Sequence, residues 1–470
     1  MKRNLALILF FSMLAGLTAC GESSGVSETT EPTGETITPE SGYTFRKDWD
    51  GETVSFLNFD NPFGMNAKIT ADSENGEVLN DAMYRQTLAL EDNMGVTLEE
   101  NNIKHEEFLE FARNIIVSGE DTYDFFVVND ANIMTFTQEN LLLNLLDFED
   151  LQLNEDWWLH ETNDLVRIGD SLYCAKGYSC LLVVDSLNIM LFNEDLAEKL
   201  QLETPYGLVK DGSWTLDKFA EYLKAGAALN LGTDIPDTDN VWNYDQPGNG
   251  AACSGLLVGC GETSFEVKDG QIVCSAGSER FYNVCDKIAS IMSLNKPYIF
   301  SKEQYGVGTK FVTNQALFSY GEIKSTQELR SKDFSFGILP PPKYDEQQDR
   351  YYCRTSWTSA GFSIPQTAAD PEMSAAVMDA LNYLSYDIVW PTYREVVLEQ
   401  KNLRNEESIE ILDIILRSGV PAFNTVYSIG SDMISTIGSR LLIGNTDISS
   451  IVASNMASIE ERLKSLNSQE

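Results

Sequence analysis

Between residues 50 and 130 the chain alternates strand and helix patterns, and this alternation limits the folds open to it. Thr53-Val54-Ser55-Phe56-Leu57-Asn58-Phe59, following Gly51, is rich in β-branched and aromatic residues and reads as a strand. Leu79, Met83, Leu90 and Met94 then recur at near-helical spacing, and Gly95 offers a stop. Residues 96–103 read as a second strand. Phe108, Phe111, Ala112, Ile115 and Ile116 mark one face of a second helix. Residues 123–128 are nearly all apolar, as in a strand covered on both faces. Strand, helix, strand, helix, strand predicts a βαβαβ unit with a parallel sheet, so the class is α/β. Ligands of such open sheets sit beyond the carboxyl ends of the strands. Those ends are Asp60-Asn61 and Asn129-Asp130. Both clusters can hydrogen-bond a ligand, and Asx residues are equally suited to capping the next turn or helix.

The first 20 residues bear on location. Lys2 and Arg3 precede an apolar run to Leu17 that is too short to span a bilayer, and Thr18 and Ala19 follow. That is the pattern of a secretory signal peptide, residues 1–19. Leu17-Thr18-Ala19-Cys20 also resembles a bacterial lipobox, which implies cleavage before Cys20 and lipid on its thiol. The expected location is the extracytoplasmic face of a membrane, with the lipid as the only membrane contact. Residues 20–43 are mostly Ser, Thr, Glu, Gly and Pro without Lys or Arg, and read as a disordered tether.

A chain of 470 residues is too long for one core, so two domains are expected. Its formal net charge of -39 excludes holding nucleic acid through phosphates. Seven cysteines remain after Cys20; their number is odd and their spacing suggests no disulfide framework or CxxC zinc site. The two histidines, His105 and His160, lack metal-ligand spacing, and no nucleophile elbow, zinc-protease or P-loop motif occurs. Asp234, Asp237, Asp239 and Asp245 lack the glycine and terminal glutamate of a calcium loop, and read as a solvated loop. No pair among the 72 acidic residues stands out as a glycosidase couple. No cofactor, metal or catalytic set is expected.

Further pieces are Ser118-Gly119-Glu120 to Tyr123-Asp124, Asn140-Leu141-Leu142 with Leu145-Leu146-Asp147, and Ile189-Met190-Leu191-Phe192-Asn193 followed by Gly212-Ser213-Trp214-Thr215-Leu216-Asp217-Lys218-Phe219. After them come residues 310–318, 337–343 and Ile364-Pro365. In this order they resemble the extracellular solute-binding proteins, family 1, the maltose-binding-protein-like lipoproteins that feed ATP-binding cassette importers. Lys218 and Asn314 depart from the usual acidic residue and glycine.

The resemblance implies a two-lobed, type II periplasmic-binding-protein-like fold: each lobe a mainly parallel sheet flanked by helices, joined by crossover hinge strands. It places residues 44–176 plus 364–415 in the N-terminal lobe and 177–363 plus 416–470 in the C-terminal lobe. Crossings fall near 173–185, 356–364 and 416–421. A last helix, with Ile448, Val452, Ile459, Leu463 and Leu466 on one face, packs on the second lobe. The cleft residues it implies are Asp60, Asn61, Asn129, Asp130, Asp185, Trp242, Tyr244, Tyr320, Glu322, Trp357 and Tyr427. Trp214 is expected to pack in the core. Aromatic faces with carboxylates and amides suit a carbohydrate, and an oligosaccharide is the expected solute. The expected partners are this solute and the permease subunits of an importer. Alternatives are a binder of peptides or other polar solutes, and a surface-anchored carbohydrate-active hydrolase.

Overall fold

The computed structural model describes residues 42–46, 49, 51–60, 63–230, 240–268, 271–294, 296, 298–300, 307–403 and 405–467. All of these belong to the compact unit Ser41–Glu470. The signal peptide, Cys20, almost the whole tether, Asn61 and three of the four aspartates between 234 and 245 lie outside them.

The first sheet contains β1 (Thr53–Asp60), β2 (Thr97–Lys104), β3 (Phe125–Asn129) and a later strand, Ala360–Ser363. Its spatial order is Ala360–Ser363, β3, β1, β2. β1 runs parallel to β2 and β3, while Ala360–Ser363 runs against β3. Every residue of β3 is buried, as its apolar run predicts. Helix α1 (Val78–Met94) is capped by the Glu77 carboxylate, which accepts from the Leu79 and Asn80 amides, and ends at Gly95 with φ 72°. Helix α2 (His105–Ser118) buries Phe108, Ala112, Ile115 and Ile116. Phe111, expected on that face, lies at its edge and is exposed.

The second sheet follows in the chain and holds β4 (Asn188–Asn193), β5 (Trp242–Asp245), β8 (Ala316–Glu322) and β9 (Phe336–Leu339), while β6 (Phe265–Lys268) and β7 (Gln271–Cys274) form a separate hairpin. Its order is β5, β8, β4, β9; three strands run one way and β4 runs against both neighbours. Each sheet thus has three strands in one direction and one reversed. Fully buried Trp214 packs between Phe219, Tyr222 and Phe318 and donates Nε1–H to the Pro340 carbonyl at 3.0 Å. The last helix, Ser449–Leu466, buries Val452, Ile459, Leu463 and Leu466 and packs near β7 and the helix Ser431–Leu442.

Three passages of chain meet between the sheets. β10 (Cys353–Arg354) runs parallel to β12 (Gly419–Val420), and Ala360–Ser363 takes the place of β11 between them in sequence. The Ser356 amide donates to the Ser186 carbonyl and the Thr355 amide to the Val420 carbonyl, both at 2.9 Å. The helix Glu406–Arg417, assigned by sequence almost wholly to the first lobe, packs instead on β9 of the second. Its Ser408 hydroxyl accepts from the Ile338 amide, so its apolar face covers the second sheet before the chain reaches β12.

At the start of the described chain, Tyr43, Trp157 and Trp158 donate to the Asp379 carboxylate, as do the backbone and side chain of Gln152. Tyr43 also stacks on Tyr383 at 4.2 Å. Both partners lie on the helix Pro371–Leu384, which packs on α1.

Candidate functional site

The carboxyl ends of β1 and β8 face each other across a cavity of about 510 Å³, well inside the roughly 300–1,000 Å³ usual for small-molecule sites. Phe63 and Met65, just beyond β1, form one wall with Trp357 of the returning passage. Phe63 and Trp357 are 43% and 38% exposed, unusual for rings this large, and meet edge to face at 5.6 Å. His105 backs Trp357 at 5.0 Å. Its Nε2 lies 2.7 Å from Asn129 Nδ2, and burial lowers the imidazole's pKa, favouring a neutral ring that accepts from the amide. The loop after β1 is held from below by Glu100, whose carboxylate accepts from the Ile69 and Thr70 amides, the Thr70 hydroxyl and Asn58.

The opposite wall is polar: Tyr320 and Glu322 at the end of β8, then Lys324, Ser325 and Glu328. Ser356 and Thr358 close the floor. Burial pushes the Glu322 carboxyl up to about 7, with Ser356, Arg354 and Lys324 pulling it back. This carboxyl can therefore be a donor or an acceptor near neutral pH. Burial likewise pushes the Tyr320 phenol up to about 12, so it stays a neutral donor.

Of the residues expected in the cleft, Tyr320, Glu322 and Trp357 line it together. Asp60 is exposed at the end of β1, and Asn61 lies outside the described residues. Asn129 is buried and caps α3 (Asp130–Gln138) by accepting from the Asn132 amide. Asp130 is corrected: it is fully buried in an ion pair with Lys176, which also donates to Ser359. Burial raises its pKa and the ammonium opposes the rise. Asp185 is also corrected. Its buried carboxylate accepts from the Asn66 amide at 2.8 Å, from Asn66 Nδ2 at 3.0 Å and from the Tyr393 hydroxyl, which leaves it a fastening of the hinge.

Trp242 and Tyr244 do not reach the cleft. Trp242 pairs in register with Ala316, the opposite end of β8 from Glu322, a separation of roughly 20 Å at the rise of an extended strand. Tyr244 is buried against Phe219. Tyr427 is buried and donates to the Leu165 carbonyl at 2.9 Å. Sequence reasoning missed Phe63, Met65, Lys324, Ser325 and Glu328. Their only signal was position a few residues beyond a strand end, because loops carry no periodicity.

Asp245 is buried and accepts from the Lys310 and Phe311 amides. Among the described residues no acidic, histidine or cysteine cluster could hold a metal ion, and the seven cysteines are unbonded. No described helix is long and apolar enough to cross a membrane.

No protein-family model matches the chain, and neither does any curated protein sequence. Solved structures do. A cyclo/maltodextrin-binding protein complexed with maltotetraose is 11% identical, with a TM-score of 0.59 over 91% of this chain and 99% of its own. An ABC substrate-binding protein from Listeria monocytogenes, in complex with cycloalternan, is 13% identical, with a TM-score of 0.56 over 88% of this chain and 100% of its own. UgpB from Mycobacterium tuberculosis, in complex with glycerophosphocholine, is 13% identical, with a TM-score of 0.55 over 88% and 98%. With two sheets of this topology, three connecting passages and a cavity between strand ends, the chain has the two-lobed type II fold of the periplasmic binding proteins.

Proposed function

We propose that this protein is an extracytoplasmic solute-binding lipoprotein. It captures a carbohydrate between its lobes and delivers it to an ATP-binding cassette importer without chemical conversion. The observation that carries the reading is the Phe63–Trp357 pair, exposed within a cleft opposite Tyr320, Glu322, Lys324 and Glu328. The C–H face of a sugar stacks on such rings while its hydroxyls pair with carboxylates and donors across the gap. Fold neighbours whose names give maltotetraose and cycloalternan as ligands support the same class. The signal peptide and the lipidated Cys20 place the protein on the outer face of a membrane. The lobes divide near residues 176 and 364, with the helix Glu406–Arg417 moved to the second lobe.

Titrating intrinsic fluorescence of the purified protein against neutral oligosaccharides, peptides and amino acids tests the cargo. Saturable binding of an unmodified oligosaccharide supports the reading; its hydrolysis, or a response to peptides alone, refutes it. Cys20→Ser tests the anchor: the variant leaves the membrane fraction or fails to mature, and unchanged membrane association counts against lipidation.

A further inference from the structure

A second and larger cavity, of about 840 Å³, shares no lining residue with the cleft. Thr355 lines it and the adjacent Ser356 lines the cleft; consecutive residues of an extended segment project to opposite sides, so the two cavities flank the hinge. Leu187, Thr355 and Gly419, one from each connecting passage, form its floor.

Its two rims differ in chemistry. One rim carries Tyr178, Tyr386 and Trp390 beside Asp156 and Glu161. Tyr178 lies 5.1 Å from Tyr386 and 4.9 Å from Trp390, and Tyr386 is 36% exposed. Aromatic faces with neighbouring carboxylates are a setting for an organic ammonium. Tyr386 and Trp390 belong to a stretch with wide π-helical turns, Ser385–Val389 and Thr392–Asn402, a backbone form frequent at functional sites. The other rim carries Arg350 and Arg417. Both are exposed, and neither forms a salt bridge within the described residues. Guanidinium forks bind carboxylates bidentately. Arg394, between the rims, is already held by Glu399 at 3.2 Å and by Asp413 at 2.7 Å.

We infer that this rear cavity is a second binding site, for a zwitterionic solute of the peptide class. The ammonium of the ligand sits among Tyr178, Tyr386, Trp390 and Asp156, and its carboxylate on Arg350 and Arg417. The assignment is independent of what the front cleft holds.

Trialanine is the probe, titrated by calorimetry into the full-length protein beside N-acetyl-trialanine, which lacks the ammonium, and trialanine amide, which lacks the carboxylate. Trialanine is expected to bind saturably, and each capped form at least tenfold more weakly. The double variant Arg350→Ala/Arg417→Ala should weaken trialanine at least tenfold with an unchanged melting temperature, because both side chains are exposed. Trp357→Ala should leave trialanine affinity as it is. Absence of saturable binding up to millimolar peptide, capped forms that bind as well as the free one, or a loss in Trp357→Ala that marks the front cleft as the peptide site would each overturn the assignment.

Discussion

Strand β8 has a tryptophan associated with each end, and the two rings have different work. At its start Trp242, flanked by asparagines and aspartates in sequence, is packed against Tyr298 at 6.4 Å. Across the cavity from its finish, Trp357 is exposed and meets Phe63. Polar neighbours in the chain made Trp242 look like a ligand contact. The direction of the strand decides otherwise, because ligands gather at carboxyl ends and Trp242 is at the amino end.

Substitutions can break this contrast. The largest effects belong to the packed rings. Trp214→Ala should cost about 3–5 kcal/mol of unfolding free energy, read by denaturant titration. Trp242→Ala should also lose stability while keeping oligosaccharide affinity; weakened binding at unchanged stability would restore it to the site. Trp357→Ala should do the reverse, losing about 2 kcal/mol of binding, or thirtyfold, with little change in melting temperature.

Asp185→Asn comes next. The carboxylate takes donors from Asn66 and Tyr393, so an amide that also carries donors mismatches one of them, at about 1.5 kcal/mol of stability. A variant as stable as the parent would remove Asp185 from the hinge and return it to the list of ligand contacts.

The smallest effect is on pH dependence. Glu322 titrates near 7 in the folded chain, above its ordinary 4.5. Between those values the folded state binds more protons, so its contribution to stability falls as pH rises through that window. Glu322→Gln should flatten the stability profile between pH 5 and pH 8 relative to the parent; identical profiles would contradict the raised value.

Much of the architecture was legible because it is periodic. The strand–helix order up to residue 129 came from runs of two- and near-four-residue spacing, and Gly95 ended α1 as its backbone required. The buried face of the last helix was legible for the same reason. The lining of the candidate cavity was legible mainly where a residue terminates a strand, as Glu322 does with Tyr320 two residues before it. Asp130 and Asp185 misled because their partners, Lys176 and Tyr393, are 46 and 208 residues away, and sequence spacing carries no trace of such pairings. The helix Glu406–Arg417 was assigned to the wrong lobe because an amphipathic face announces burial without naming the sheet that it covers.

The knot of donors around Asp379 has a mechanical meaning. The chain enters the folded body at Tyr43, and that residue is fastened to the helix Pro371–Leu384 of the first lobe. A pull arriving along the chain from Gly42 is borne there as a load on one lobe. It crosses none of the three passages at Ser186, Thr355 and Val420, which are hydrogen-bonded to one another between the sheets. If the preceding chain is the proposed tether, tension on it would load one lobe and bypass the hinge.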